Sequence, residues 1–267
     1  MSALDVVLTE FCSDVERAEH LLSLIKNFRE FGASTPPEIE CESGVLWSTA
    51  ALLHEASKQR RTDLPVLSGS LQLYLAGRFE YCIRQIVETV SDEIASKVNT
   101  FTELPDVIQS ELKTRTLEIA QNPRRYGYND VMVDSLLASL VASKGAISGP
   151  VTIKSSVLSL TDSNMKDRVL ADLLKRVGVQ DFWREIGKQA TVKLDLETST
   201  DSETTVKAQS KLNTIMEERN QVAHPTATTQ FPDPDQVLSS AAFLKMLASN
   251  TVNLAKIHLA TYRPQAS

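Results

Sequence analysis

The sequence predicts an all-α protein, a helical bundle with additional helices. The first observation behind this prediction is that apolar residues recur at spacings of three and four over long segments, as in helices with one buried face. The second is that no segment of convincing strand length alternates between apolar and polar residues. With 267 residues the chain is long enough to bury its own core. We therefore expect a single all-helical domain over residues 1–267.

The N-terminal half is predicted to contain four helices, at residues 4–31, 45–60, 65–99 and 106–121. The first has an apolar seam with a period of about 3.5 residues, formed by Leu4, Leu8, Phe11, Val15, Ala18, Leu22 and Ile25. This period favours packing inside a bundle, and it also suits a partner helix in a dimer. In the second helix, the residues expected to face inward are Trp47, Ala50, Ala51 and Leu53.

Two features of the next segments have more than one interpretation. Gly69 and Gly77 weaken the first half of the third helix, and Gly77 marks either a break or a close approach of two helices. Residues 122–130 (NPRRYGYND) form a turn whose arginines and tyrosines suit stacking on single-stranded RNA. Such turns are more often simply hydrogen-bonded, and this second interpretation is favoured.

The segments after this turn are predicted from caps and composition. Residues 144–156 form a connection that contains either a lid or a short extended piece. The helix that follows is expected to begin at a cap formed by Asp162 or Ser163 and to end at Gly178. Residues 198–205 (TSTDSETT) are small and polar without periodicity, which predicts an exposed loop.

The remaining C-terminal residues form a helical segment over 206–262, which consists of two helices. The second of these helices has a clear N-terminal signature. Asp233 is expected to cap it, Pro234 to take its first position, and Gln236 to reach back to the cap.

Composition and charge exclude several classes of protein. A net charge of −6 argues against broad binding to long duplex nucleic acid, which needs many basic contacts. The three cysteines are scattered and the four histidines are dispersed, so we expect reduced thiols and neither a metal nor another cofactor. No apolar run approaches the ~20 residues of a membrane span, and no basic segment precedes an apolar block. A cytoplasmic protein without a membrane anchor is expected.

One stretch breaks the helical pattern in a way that indicates chemistry. Residues 211–225 (KLNTIMEERNQVAHP) continue an apolar helical face, but Arg219 stands at its centre, where packing favours an apolar side chain. Further along comes His224, where Pro225 disfavours the helical conformation and ends the helix. An ionised group on an apolar face is costly. Arg219 is therefore expected to face a carboxylate, a phosphate, or a cleft shared with a second subunit.

The order Arg219, Asn220 and His224 at the end of an amphipathic helix resembles the R-x4-6-H signature of the HEPN superfamily (higher eukaryotes and prokaryotes nucleotide-binding). The segments LNTIMEERNQVAHP and LAGRFEYCIRQIVETV resemble the RiboL-PSP-HEPN group and the related MAE-type HEPN nucleases. Many members have a small residue such as glycine after the histidine, where this chain has Pro225.

This resemblance implies an all-helical, HEPN-like, metal-independent endoribonuclease. RNA would be cleaved to a 2′,3′-cyclic phosphate and a 5′-hydroxyl, with Arg219 and His224 as catalytic residues and Asn220 bound to the phosphate or holding the histidine. Arginine suits the charge of the phosphorane, and histidine suits proton transfer at neutral pH. The resemblance also implies a homodimer with a composite active site. The biological role would be that of a toxin or antiviral-defence effector, held in check by an antitoxin or another regulatory protein.

Spacing alone supports a second interpretation of the same residues. Arg219 would form a salt bridge, and His224 would cap the negative end of the helix dipole. The protein would then be a non-catalytic helical module that binds a nucleotide or a partner protein. A carboxylate against Arg219 in a monomer would favour this module, whereas a symmetric dimer that joins two motifs would favour the nuclease.

Overall fold

The computed structural model describes residues 1–35, 48–60, 62–145 and 151–263. In these ranges the regular secondary structure is helical, with no strand, which confirms the predicted all-α class. The helices are α1 (Ala3–Phe31), α2 (Ser48–Gln59), α3 (Leu64–Ala95), α4 (Asp106–Gln121), α5 (Asp130–Gly145), α6 (Ser156–Ser159), α7 (Asp167–Arg176), α8 (Phe182–Gly187), α9 (Ala190–Asp195), α10 (Asp201–Ala223) and α11 (Pro234–Thr261). Two 3-10 turns lie at Phe101–Glu103 and Pro123–Tyr126. None of the described helices is both long and apolar enough to cross a membrane.

Helix α3 is the centre of the bundle, since it packs against α1, α10 and α11. It is 32 residues long and buries an apolar stripe that includes Leu75, Phe79, Ile83, Ile86, Val90 and Ile94. The predicted seam of α1 is buried as well, with Leu8 only partly covered. Buried side chains of these four helices belong to one apolar cluster. The assignment of residues 1–267 to a single domain stays a prediction.

Helix α2 buries Ala50 and two polar side chains, which corrects part of the predicted inward face. Ala51 and Leu53 are exposed, and Trp47 lies outside the described residues. Ala50 is buried as predicted. His54 and Ser57 are buried as well, and their side chains contact carbonyl oxygens at the end of α1 and in the turn after it. The last carbonyls of a helix have no donor within the helix. Helix α2 therefore uses polar groups to cover that end.

Two predicted helix ends are confirmed. Gly178 follows α7 with a φ of 91°, the left-handed conformation that glycine adopts without strain. At the start of α11, Asp233 accepts a hydrogen bond from the Gln236 amide at 3.0 Å, and the Gln236 side chain accepts one from the Asp233 amide at 2.9 Å. Pro234 takes the first helical position. Local cap chemistry therefore determines both boundaries.

The start of α7 differs from the prediction, because the helix begins at Asp167 and not at a cap formed by Asp162 or Ser163. Two residues in between make tertiary hydrogen bonds. The Asn164 side chain bonds to residues of α10, and the backbone N–H of Met165 donates to a carboxylate of α3 at 3.3 Å. These bonds hold the segment extended, so the helix starts after it.

The connection predicted at residues 144–156 lies partly outside the described residues, which resume at Val151. The proposed extended piece is not a strand, although the Val151 amide donates to the Val98 carbonyl oxygen at 3.1 Å. Residues Ser156–Ser159 then form α6, a four-residue helix that the sequence did not predict.

Helix α10 begins at Asp201, so the predicted loop at 198–205 is half helical and the motif segment starts before residue 206. The Thr200 hydroxyl caps the helix by accepting the Glu203 amide. Thr204 is fully buried. These small polar residues therefore serve as a cap and as packing groups, and their lack of periodicity reflects that role.

Gly69 is the site of close helix approach, and Gly77 is neither a break nor a contact. Helix α3 is continuous through both residues, and a Cβ atom at Gly77 would have no neighbour within 4 Å. A Cβ atom at Gly69 would lie 2.7 Å from the Phe231 ring and 3.1 Å from a Val222 methyl. The last turn of α10 and the segment after it therefore rest directly on Gly69.

We expect the substitution Gly69→Val to lower the free energy of unfolding by about 1–3 kcal/mol, because the added methyl groups overlap Phe231 and Val222. The matched control Gly77→Val should leave stability unchanged or raise it slightly, since valine is a better helix former than glycine and meets no neighbour there. Urea denaturation followed by circular dichroism measures both variants. Equal stability of the two variants would contradict the close approach at Gly69.

Candidate functional site

Arg219 lies in the last two turns of α10, on the helix that also buries Leu212, Ile215, Met216 and Val222. Its own side chain is half-buried. The position is therefore the one expected from the sequence, a cation beside the apolar face of a bundle helix. Such a position requires polar partners, because an ionised group that loses water without compensation is strongly unfavourable.

The partners of Arg219 are two asparagine side chains. Its Nη1 donates to Asn164 Oδ1 at 2.9 Å and to Asn220 Oδ1 at 3.1 Å. Asn164 Nδ2 in turn donates to Asn220 Oδ1 at 2.9 Å. A guanidinium group has only donors, so both amide oxygens must point toward it, and this chemistry fixes the orientation of both amides. We call these three residues the Arg–Asn–Asn cluster.

No carboxylate pairs with Arg219 among the residues that the structure describes. Both acceptors are neutral amide oxygens, and Arg219 Nε is buried without a hydrogen-bond partner. Amides orient the guanidinium without cancelling its charge, whereas a carboxylate would do both. The salt-bridge interpretation of Arg219 is therefore wrong for the described part of the chain.

Two donors of the cluster remain available to a ligand. Within the described ranges, Arg219 Nη2 and Asn220 Nδ2 make no hydrogen bond. Because the Asn220 oxygen is committed to Arg219 and Asn164, its amide nitrogen faces away from them. A positive charge with two unused donors is the arrangement that binds an anion such as a phosphate.

Asn164 is the residue of the cluster that sequence analysis missed. It is 56 residues from Asn220 and lies in a segment without helical periodicity, so no local signal identifies it. A clamp nearly two turns earlier on α10 holds the segment in place, because Asn213 and Asp167 exchange two hydrogen bonds of 2.9 and 3.0 Å. Asn213, a polar residue on the same helix as the motif, indicates that a polar segment packs there. The sequence does not indicate which segment it is.

His224 lies where α10 ends, as the sequence predicts. Its backbone N–H donates to the Asn220 carbonyl oxygen at 3.1 Å, and its φ of −128° departs from the helix. The imidazole is exposed and forms no hydrogen bond with a described residue. The structure thus brings Arg219 and Asn220 together but leaves the His224 ring free of both.

A buried polar layer lies beside the cluster, between α10 and α3. Gln72 Nε2 donates to Glu218 Oε2 at 3.4 Å, while Gln72 Oε1 and Ser68 Oγ are buried without partners. Burial raises the pKa of Glu218 above its ordinary value, because desolvation disfavours the carboxylate form. This residue next to Arg219 therefore repels an anion less than an exposed glutamate would at the same pH.

The arginine and tyrosine turn at residues 122–130 is held by its own polar contacts. Arg125 pairs with Asp162, and the Tyr126 hydroxyl donates to Glu118. The guanidinium of Arg125 also lies 5.8 Å from the centre of the Tyr126 ring. These contacts agree with the favoured interpretation of a hydrogen-bonded turn.

The fold and the site together define an all-helical protein with a half-buried arginine, held by two asparagines, near the end of a bundle helix. Residues 46–256 match the family model described as RiboL-PSP-HEPN. This range covers most of the chain, so the chain belongs to the RiboL-PSP-HEPN family, in agreement with the resemblance found in the sequence. No curated protein and no solved structure matches the chain.

Proposed function

We propose that this HEPN-family protein is a metal-independent endoribonuclease whose catalytic residues are Arg219 and His224. The observation that carries this proposal is the state of Arg219, a half-buried guanidinium held by two amide oxygens and paired with no carboxylate among the described residues. A purely structural arginine would gain most from a carboxylate, so the neutral partners indicate a charge that is kept for a ligand.

The reaction follows from the groups available. The ribose 2′-oxygen attacks the neighbouring phosphorus, the bond to the 5′-oxygen breaks, and the products are a 2′,3′-cyclic phosphate and a 5′-hydroxyl. Arg219 Nη2 and Asn220 Nδ2 donate to the non-bridging oxygens, where negative charge accumulates. His224 transfers the proton, taking it from the 2′-hydroxyl or giving it to the 5′-oxygen.

Both proton transfers in one catalytic event need a base and an acid, and each chain brings one histidine to this helix end. A homodimer that joins two helix ends supplies both groups. The exposure of the His224 ring supports this proposal, because a second copy has access to it.

A surface for the second copy lies between α1 and α3. It is an apolar groove of about 320 Å³ lined by Leu21, Leu24, Ile25, Phe28, Leu64, Leu67, Ser70 and Leu71. Leu24 and Leu67 are each 52% exposed. The α3 part of this groove is the helical turn whose Gly69 contacts Val222, so the groove and the end of α10 lie at the same end of the bundle.

The biological role that fits this activity is that of a toxin or antiviral-defence effector in the cytoplasm, restrained by an antitoxin or regulatory protein. The alternative is a non-catalytic module that binds a nucleotide or protein. The absence of a hydrogen bond from the His224 ring to the described residues favours that alternative, as does the net charge of −6. RNA cleavage assays separate the two.

Replacing His224 with alanine should reduce RNA cleavage about 100- to 10,000-fold, because the proton-transfer group is removed. Cleavage is measured on a labelled single-stranded RNA in the presence of a metal chelator, and the product ends are identified as cyclic phosphate and hydroxyl. The matched control is Gln221→Ala, an exposed residue in the same turn of α10, which should cleave normally. Undiminished cleavage by His224→Ala would exclude this site.

The variant Asn164→Asp should fold normally but lose about 100-fold or more in cleavage rate, because a carboxylate at this position neutralises Arg219. The variant Asn164→Ala removes the amide without adding charge and should lose less. Urea denaturation measures folding, and single-turnover kinetics measure the rate. If Asn164→Asp cleaved as fast as the unmodified protein, the uncompensated charge of Arg219 would have no role in the reaction.

The substitution Leu24→Glu should convert a dimer into a monomer and abolish cleavage, because a charge in the apolar groove opposes burial against a second copy. Its matched control is Leu117→Glu on α4, a leucine of similar exposure (53%) outside the groove. Sedimentation velocity reports the oligomeric state of each variant. A Leu24→Glu protein that stays dimeric, or cleaves RNA as a monomer, would contradict the composite site.

A further inference from the structure

An open groove of about 670 Å³ adjoins the Arg–Asn–Asn cluster, and the proposed reaction does not use it. Its lining residues are Asp162, Ser163, Asn164, Lys166, Asp167, Arg168, Val169 and Asn213. Asn164 belongs both to the cluster and to the wall of this groove. The groove therefore begins at a residue that directly holds Arg219.

The groove follows the course of α10. Asn164 bonds to Arg219 and Asn220, whereas Asp167 bonds to Asn213 six residues earlier on that helix. Six residues of helix span about 9 Å. The groove thus extends away from the Nη2 and Nδ2 donors of Arg219 and Asn220. Its length is one that the adjacent nucleotide of a bound strand would span. Its volume lies within the range of about 300–1,000 Å³ that is typical of small-ligand sites.

The charges around the groove are not equally compensated. Asp162 pairs with Arg125, and Lys166 pairs with Glu217 at 2.9 Å. Arg168 is exposed and has no carboxylate within ion-pair distance in the described ranges. Arg168 is therefore the cation of this groove whose charge is uncompensated.

We propose that this groove binds the nucleotide next to the phosphate held at Arg219, in single-stranded RNA, and that Arg168 contacts the phosphate of that nucleotide. The inference rests on the proposed nuclease function. A single strand is favoured over a duplex, because the protein has a net charge of −6 and one uncompensated cation here, whereas a duplex is held by many phosphate contacts. The groove thus forms a substrate subsite outside the Arg219, Asn220 and His224 motif.

Binding is tested with a short 2′-O-methyl RNA, which lacks the attacking hydroxyl and stays intact. Arg168→Glu should weaken binding about tenfold and lower the slope of log affinity against log salt by about 0.7, the value for one phosphate contact. Arg168→Lys retains the charge and should bind within about threefold of the unmodified protein. In cleavage of unmodified RNA, Arg168→Glu should raise KM and leave kcat within about twofold, since it contacts no reacting atom.

The matched control is Arg263→Glu, an exposed arginine beyond the end of α11 whose hydrogen bonds within the described ranges go to backbone carbonyls. Equal RNA affinity of Arg168→Glu and Arg263→Glu would overturn the subsite, even where the unmodified protein cleaves RNA. If Arg168→Glu lost binding to polyglutamate but kept its affinity for RNA, the groove would be assigned to an acidic peptide. That result would overturn the RNA subsite as well. Conversely, weakened RNA binding by Arg168→Glu in a protein without cleavage activity would support the subsite and count against the nuclease.

Discussion

The arrangement of this protein around its site depends on holding one guanidinium group in a half-buried position without neutralising it. A carboxylate would satisfy Arg219 more simply, but it would also cancel the charge. Asn164 and Asn220 instead offer neutral oxygens, and each retains its other polar atom for a defined purpose. The Asn164 nitrogen locks the Asn220 oxygen, and the Asn220 nitrogen then faces outward. The amides of Asn164 and Asn220 thus fix the Arg219 guanidinium and leave its charge available to a ligand.

This arrangement requires precise support, because asparagine side chains are short and Asn164 comes from a separate segment. The α3 carboxylate that accepts the Met165 amide fixes the backbone next to Asn164. The exchange between Asp167 and Asn213 fixes the backbone again two residues further along. Gly69 lets the last turn of α10 approach α3 closely. Helix α3 therefore contacts both segments that build the site, the one that contains Asn164 and the last turn of α10.

Much of the fold could be predicted from the sequence, since long helices are determined by local periodicity and caps. The seam of α1, the stripe of α3 and the Asp233 cap of α11 are examples. The errors have a common physical cause, which is tertiary hydrogen bonding by small polar residues. Thr204 is buried, His54 faces the end of α1, and Asn164 lies in the extended segment before α7 and bonds to α10. The position of Arg219 was readable from periodicity, but its partner was not, because a pairing across 55 residues leaves no local signal.

The family range separates the Arg–Asn–Asn cluster from part of the surface proposed for a second copy. The Arg–Asn–Asn cluster and the end of α10 lie inside residues 46–256, the range that matches the RiboL-PSP-HEPN family. Helix α1 precedes that range, yet it packs on α3 and α11 and supplies half of the exposed apolar groove. The proposed anion site therefore lies within the family range, whereas the surface proposed for a second copy needs the helix that precedes it. Since the proposed chemistry requires two histidines, the N-terminal extension would determine whether the site of the family fold becomes complete.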